Sequence, residues 1–143
     1  MEEFAGAALG DERLNQRLVK LATRFADKPT ASIPGACEDW SETQAAYRFF
    51  EQSSDQKRQL GWQDILAPHM ACTEARMRQH PVVLCLQDTT ELDFNGQETA
   101  GLGPLSHEAR RGMYLHPTYV VTPDREPLGV TDAWMWALSL IHI

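Results

Sequence analysis

Asp88 is the residue of this sequence best placed to do chemistry. It follows Val82-Val83-Leu84-Cys85-Leu86, an apolar run of the form taken by a buried central strand, which ends at Gln87. A carboxylate just past the end of such a strand sits where open sheets place ligands. It could hold a hard divalent cation such as Mg²⁺, and two such ions can clamp the attacking and leaving oxygens of phosphoryl transfer. Asp88 could equally cap a turn with Thr89 and Thr90. Residue types alone leave both roles open. Glu91 and Asp93 alternate with Leu92 and Phe94, share one face, and read as solvated.

A row of bases is the second candidate. Arg13, Arg17, Lys20 and Arg24 recur at steps of 4, 3 and 4, so they line one helical face. Such a face can neutralise several phosphates, or simply be solvated. Arg48, beside Tyr47 and followed by Phe49 and Phe50, could reach a phosphate or snorkel from an aromatic cluster. The histidines show no helical ligand spacing and read as surface or packing residues. Trp62, Trp134 and Trp136 read as core, the last two on one face of a strand. Gly101-x-Gly103 has no strand before it and no helix after it, so a dinucleotide loop is rejected.

The elements that must position these residues follow from periodicity. Leu14, Leu18, Leu21 and Phe25 predict an amphipathic helix over Asp11–Ala26, capped by Asp11 and stopped by Pro29. Lys28–Asp39 reads as a loop punctuated by Pro29, Pro34 and Gly35. A second helix starts near Ser41, where Ser41-x-x-Gln44 fits a capping box, and ends at Ser53-Ser54. A third runs over Trp62–Gln79, with Pro68 inside it predicting a kink. The strand after Val82 leads to a long polar, glycine-rich loop, Asn95–Gly112. Met113–Thr122 and Pro127–Ala137 then form an antiparallel hairpin around Pro123-Asp124-Arg125-Glu126.

Composition bounds what this can be. The 143 residues suit one domain or two incomplete ones, and 43% hydrophobic with 23% charged residues argues against wholesale disorder. No apolar run approaches a membrane span. Early acids (Glu2, Glu3, Asp11, Glu12) are wrong for a targeting peptide, so the cytoplasm is expected. Three cysteines without a CxxC pair predict reduced packing residues. The net charge of −7 disfavours a nucleic-acid partner on average, yet Arg13–Lys28 holds five bases and one acid. The closing Leu138–Ile143 is apolar and uncapped, and reads as an accidental ending.

Several segments in order resemble a known family. Ala8-Leu9-Gly10-Asp11-x-Arg13-Leu14-x-x-Arg17-Leu18 resembles the opening of cut-and-paste insertion-sequence transposases related to the transposon-five enzyme. Ala45-Ala46-Tyr47-Arg48-Phe49-Phe50 resembles their next helix. Leu86-Gln87-Asp88-Thr89-Thr90-Glu91-Leu92 resembles the strand that holds their first catalytic aspartate. Gly101-Leu102-Gly103-Pro104-Leu105 and Gly129-Val130-x-x-Ala133-Trp134 follow in the same order.

The resemblance implies an α+β chain. Residues 1–80 would be a three-helix domain that binds transposon ends. Residues 81–137 would be three mostly antiparallel strands opening a truncated ribonuclease-H-like catalytic domain, and 138–143 a tail outside the family pattern. It implies double-stranded DNA with terminal inverted repeats as partner, a homodimer in the complete protein, no membrane, and Mg²⁺ or Mn²⁺ at an Asp-Asp-Glu site. Asp88 falls on its first aspartate, the catalytic and metal-binding position. Arg17 and Arg48 fall on positions that approach end DNA, while Arg13, Lys20 and Arg24 join them from the stripe alone. The second Asp and the Glu have no counterpart here, so no transposase activity is expected of this chain. Two alternatives stand: an inert or aggregation-prone remnant, and a fragment of another ribonuclease-H-like metal nuclease.

Overall fold

The computed structural model describes residues 2–51, 60–95, 100–107 and 109–138. It divides into two compact units, Met1–Cys72 and Thr73–Ile143.

The first unit is helical. A 3-10 turn, Glu2–Phe4, precedes α1 (Glu12–Asp27), α2 (Ile33–Ala36), α3 (Trp40–Glu51) and α4 (Trp62–Met77), which runs on into the second unit. Asp11 caps α1 as expected: its backbone is extended and its Oδ1 accepts the Arg13 N–H at 2.9 Å. Leu14, Leu18 and Leu21 are buried and meet Cys37, Ala46, Phe49 and Leu60. Each such leucine contributes about 1.5–3 kcal/mol of apolar burial. This one-sided pattern makes a helix of α1 despite its many charges.

Two local expectations need correction. The stretch read as a loop after Lys28 contains α2, capped by Ser32, whose Oγ accepts the Gly35 N–H. Pro34 does not break it, because a proline in the first helical turn removes a donor that has no partner anyway. The cap of α3 is Asp39 rather than Ser41. Asp39 Oδ1 accepts both the Glu42 N–H and the Ser41 hydroxyl at 2.7 Å. These bonds hold the Asp39 carboxyl below its ordinary range. Ser41 already lies inside α3, past the cap position, so it is not the residue that caps the helix with Gln44. The predicted stop at Ser53-Ser54 lies outside the described residues.

The 3-10 turn had no signal beyond its acids. It is held by α4: Glu3 Oε1 pairs with His69 Nδ1 at 2.7 Å, the Phe4 ring stacks on His69, and the Cys72 thiol donates to the Glu3 carbonyl. Pro68 lies inside α4, where its position in the sequence puts it.

The second unit is an antiparallel sheet built on one strand. β1 (Leu84–Gln87), β2 (Thr90–Asp93), β3 (Gly103–Pro104) and β5 (Pro127–Trp136) all pair with β4 (Arg111–Val121). β1 and β2 share one register, running from Leu84↔Val121 through Gln87↔Thr118 to Thr90↔Leu115 and Asp93↔Gly112. They are one strand interrupted at Asp88-Thr89. The register sets Asp88 opposite Pro117, whose ring nitrogen has no hydrogen to donate, and the ladder lapses there. Thr89 meets His116 instead, Oγ1 to Nδ1 at 2.7 Å. On the other edge β5 follows β4 through two irregularities, between Thr118/Tyr119 and Val120/Val121. The hairpin turn is the one expected. Arg125 takes a left-handed φ of 67° there, and Thr122 bonds to Arg125 and Glu126.

The order of elements, helices then an antiparallel sheet, is the α+β class expected, with four α-helices among the described residues in place of three. β1 is not a buried strand. It has β4 as its single neighbour among the described residues, and Leu84 and Leu86 are exposed. Trp134 is likewise not core: it is 69% exposed, while Trp136 stacks on Tyr114 at 5.3 Å. Trp62 is half-buried. No helix among the described residues is long and apolar enough to cross a membrane.

Candidate nucleic-acid interface

Arg13, Arg17, Lys20 and Arg24 each stand one residue before a core position of α1. The row therefore lies on a flank of the helix, beside the face that packs inward. The unit divides this row in two. Glu42 of α3 is only 4% exposed, and its Oε1 meets Lys20 Nζ at 2.8 Å and Arg24 Nε at 3.2 Å. Its Oε2 accepts the Glu38 N–H at 2.6 Å. Arg24 also reaches Glu38, Nη2 to Oε1, at 2.6 Å. The Glu38 N–H and then Lys20 hold the Glu42 carboxyl down to about 2. The bond to Glu42 in turn raises the Arg24 guanidinium. Lys28 is turned to the backbone, donating to the Gly35 and Ala36 carbonyls.

The other half of the row is open. Arg13 is exposed and Arg17 half-buried, and neither has a carboxylate partner among the described residues. Arg48 is exposed on α3, also without one. The structure thus places Lys20 and Arg24 in a closed cluster and leaves Arg13, Arg17 and Arg48 with their charge available. Sequence reading missed Glu42 as the counter-ion. It lies 18 residues from Arg24, and only the fold of α1 against α3 brings the two together.

Asp88 is exposed at the break between β1 and β2, and its Oδ1 accepts the Thr89 N–H at 2.9 Å. The nearby acids are not simply solvated, as alternation suggested. Glu91 Oε1 accepts the Ser106 N–H at 2.9 Å, and Ser106 holds its carboxyl below the ordinary range. Asp93 accepts from the Asn95 N–H and lies 3.6 Å from Arg110. Among the described residues no three His, Cys, Asp or Glu side chains gather to hold a metal ion. A magnesium site takes one or two carboxylates plus the oxygens of its substrate. One exposed carboxylate whose acidic neighbours are engaged elsewhere does not fit the pair of ions that phosphoryl transfer of this kind uses.

Among known families, the transposase DNA-binding model matches residues 1–54. The matched stretch takes in the 3-10 turn, α1, α2 and α3, and so carries Arg13, Arg17 and Arg48 with the Glu42 cluster. This part of the chain is similar to the N-terminal domain of a transposase, and the partner that similarity indicates is DNA.

Proposed function

We propose that this chain is the end-binding part, with the beginning of the catalytic part, of a cut-and-paste insertion-sequence transposase related to the transposon-five enzyme. The observation that carries the reading is the coincidence of the transposase DNA-binding match with three cationic side chains that no carboxylate pairs with among the described residues. Arg13, Arg17 and Arg48 contact phosphates of the terminal inverted repeat. Lys20 and Arg24 act inside the protein, holding α1 to α3 through Glu42. Each phosphate neutralised releases condensed counter-ions, so three contacts give a log–log salt slope of about −2.7. All five bases would give about −4.5.

A salt-titrated binding assay tests this, using a duplex with the element's terminal repeat and a scrambled duplex. Preference for the repeat, with a slope near the smaller value, is expected. Equal and negligible binding to both duplexes would refute the reading.

Asp88 is, in this reading, the first carboxylate of an Asp-Asp-Glu site in a ribonuclease-H-like domain. The family's metal, Mg²⁺ or Mn²⁺, supplies electrostatic stabilisation of the phosphoryl-transfer transition state when bound. Asp88 alone does not fit it, and no cleavage step is assigned to this chain. Homodimer formation on paired DNA ends and a cytoplasmic location belong to the same proposal. The exposed Leu84, Leu86, Tyr119 and Trp134 favour a second reading, an aggregation-prone remnant. Size-exclusion chromatography separates the two.

A further inference from the structure

The outer face of α3 carries polar and aromatic side chains that are left unspent among the described residues. Trp40, Gln44 and Tyr47 recur at steps of 4 and 3, on the side turned away from the buried Thr43, Ala46 and Phe49. Trp40 is 69% exposed and Tyr47 42%. Gln44 and Arg48, one turn apart, are exposed as well. None of these four side chains has a hydrogen-bond or ion-pair partner among the described residues. The contrast with the same helix's other polar groups is sharp: Asp39, Ser41 and Glu42 are all bonded within the protein. Glu38 and Asp39 sit near Trp40 in sequence, but Arg24 holds the first and helix N–H groups the second.

We infer that this stripe reads base edges in the major groove of the DNA, with Gln44 selecting an adenine. The inference rests on the DNA-binding reading above and adds the base class it recognises. A helix fits the major groove, and a glutamine amide, one acceptor and two donors, matches the N7 acceptor and N6 donor of adenine. The rings of Trp40 and Tyr47 offer apolar surface of the kind that packs on a thymine methyl. Arg48 on the same helix, with Arg13 and Arg17 of α1, supplies the positive charge that complements the duplex. The division of labour follows from chemistry: guanidinium groups hold phosphates, and the neutral stripe distinguishes bases.

Selection of the full-length chain on a pool of duplexes with a randomised core tests this, with Q44A and Q44E alongside. The wild-type chain should enrich adenine at one position. Q44A should lose that preference, a drop in discrimination of about 5- to 150-fold. Q44E should move it to cytosine, whose N4 group is a donor to a carboxylate. Position 44 is exposed, and matching melting curves by circular dichroism check that the variants fold. If Q44A does not fold, Q44E still reads the position. The same enriched motif for wild type, Q44A and Q44E, with salt-dependent binding intact, overturns this inference and leaves the DNA-binding reading standing. Absence of salt-dependent binding by the wild type overturns both.

Discussion

Replacing Glu42 by Gln should make the helical unit much less sensitive to acid. Glu42 is buried to 4% exposure, receives the Glu38 N–H, and faces Lys20 and Arg24. Its carboxyl is lowered from 4.5 to about 2 in the folded protein. The folded state therefore holds the charged form more firmly than the unfolded state does. The resulting stability is full above the unfolded value and is lost as pH falls from about 5 toward 2. A shift of that size corresponds to about 3 kcal/mol at neutral pH. The bonds from Lys20 and Arg24 are part of this shift, so their loss in E42Q is already contained in that figure. Urea melts of wild type and E42Q at pH 7 and pH 2.5 measure the quantity directly. The difference between the two proteins should be about 3 kcal/mol at pH 7 and shrink to less than about 1 kcal/mol at pH 2.5. Other carboxylates titrate in both proteins and cancel in that difference. A gap that is the same at both pH values would refute the electrostatic account and leave only packing.

Arg17→Ala should weaken binding to every duplex and reduce the salt slope by about 0.9, measured by fluorescence anisotropy across a salt series. Lys20→Ala should leave that slope unchanged while lowering the melting temperature, because its charge is spent on Glu42. Gly112→Ala should destabilise the sheet by about 1–3 kcal/mol in thermal melts, since an added Cβ would collide with the Leu92 carbonyl. With Mg²⁺ or Mn²⁺ and a terminal-repeat duplex, no cleavage above an Asp88→Ala control is expected on a denaturing gel.

Much of this architecture could be read from residue patterns because the forces were local. Leu14, Leu18 and Leu21 declare the buried face of α1, and Asp11 its start. The turn at Pro123–Glu126 declares the hairpin. The failures have two causes: the cap is a choice between neighbouring candidates, and the others depend on groups distant in sequence. Ser41 looked like a cap until the carboxylate of Asp39 took the Glu42 N–H. The basic row looked uniform until α3 brought Glu42 to half of it. Val82–Leu86 looked like a buried strand, but apolar composition does not say how many neighbours a strand has. Pro117 is different. A proline inside a strand is a signal visible in the sequence, and it marks the place where pairing lapses beside Asp88.

Because every other strand described bonds to β4, the sheet has no pairing among the described residues that can form without Arg111–Val121. The first compact unit ends at Cys72, within α4, so its internal contacts are available 49 residues earlier than the end of β4. At synthesis rates of about 5–20 residues per second, that is a lead of roughly 2–10 s for the amino-terminal part. During this interval Leu84, Leu86 and the residues between them are without a partner strand. The surface proposed to meet DNA is thus assembled while the rest of the chain is still being made, and on that proposal nascent-chain capture should find the newly made protein DNA-competent before its sheet exists.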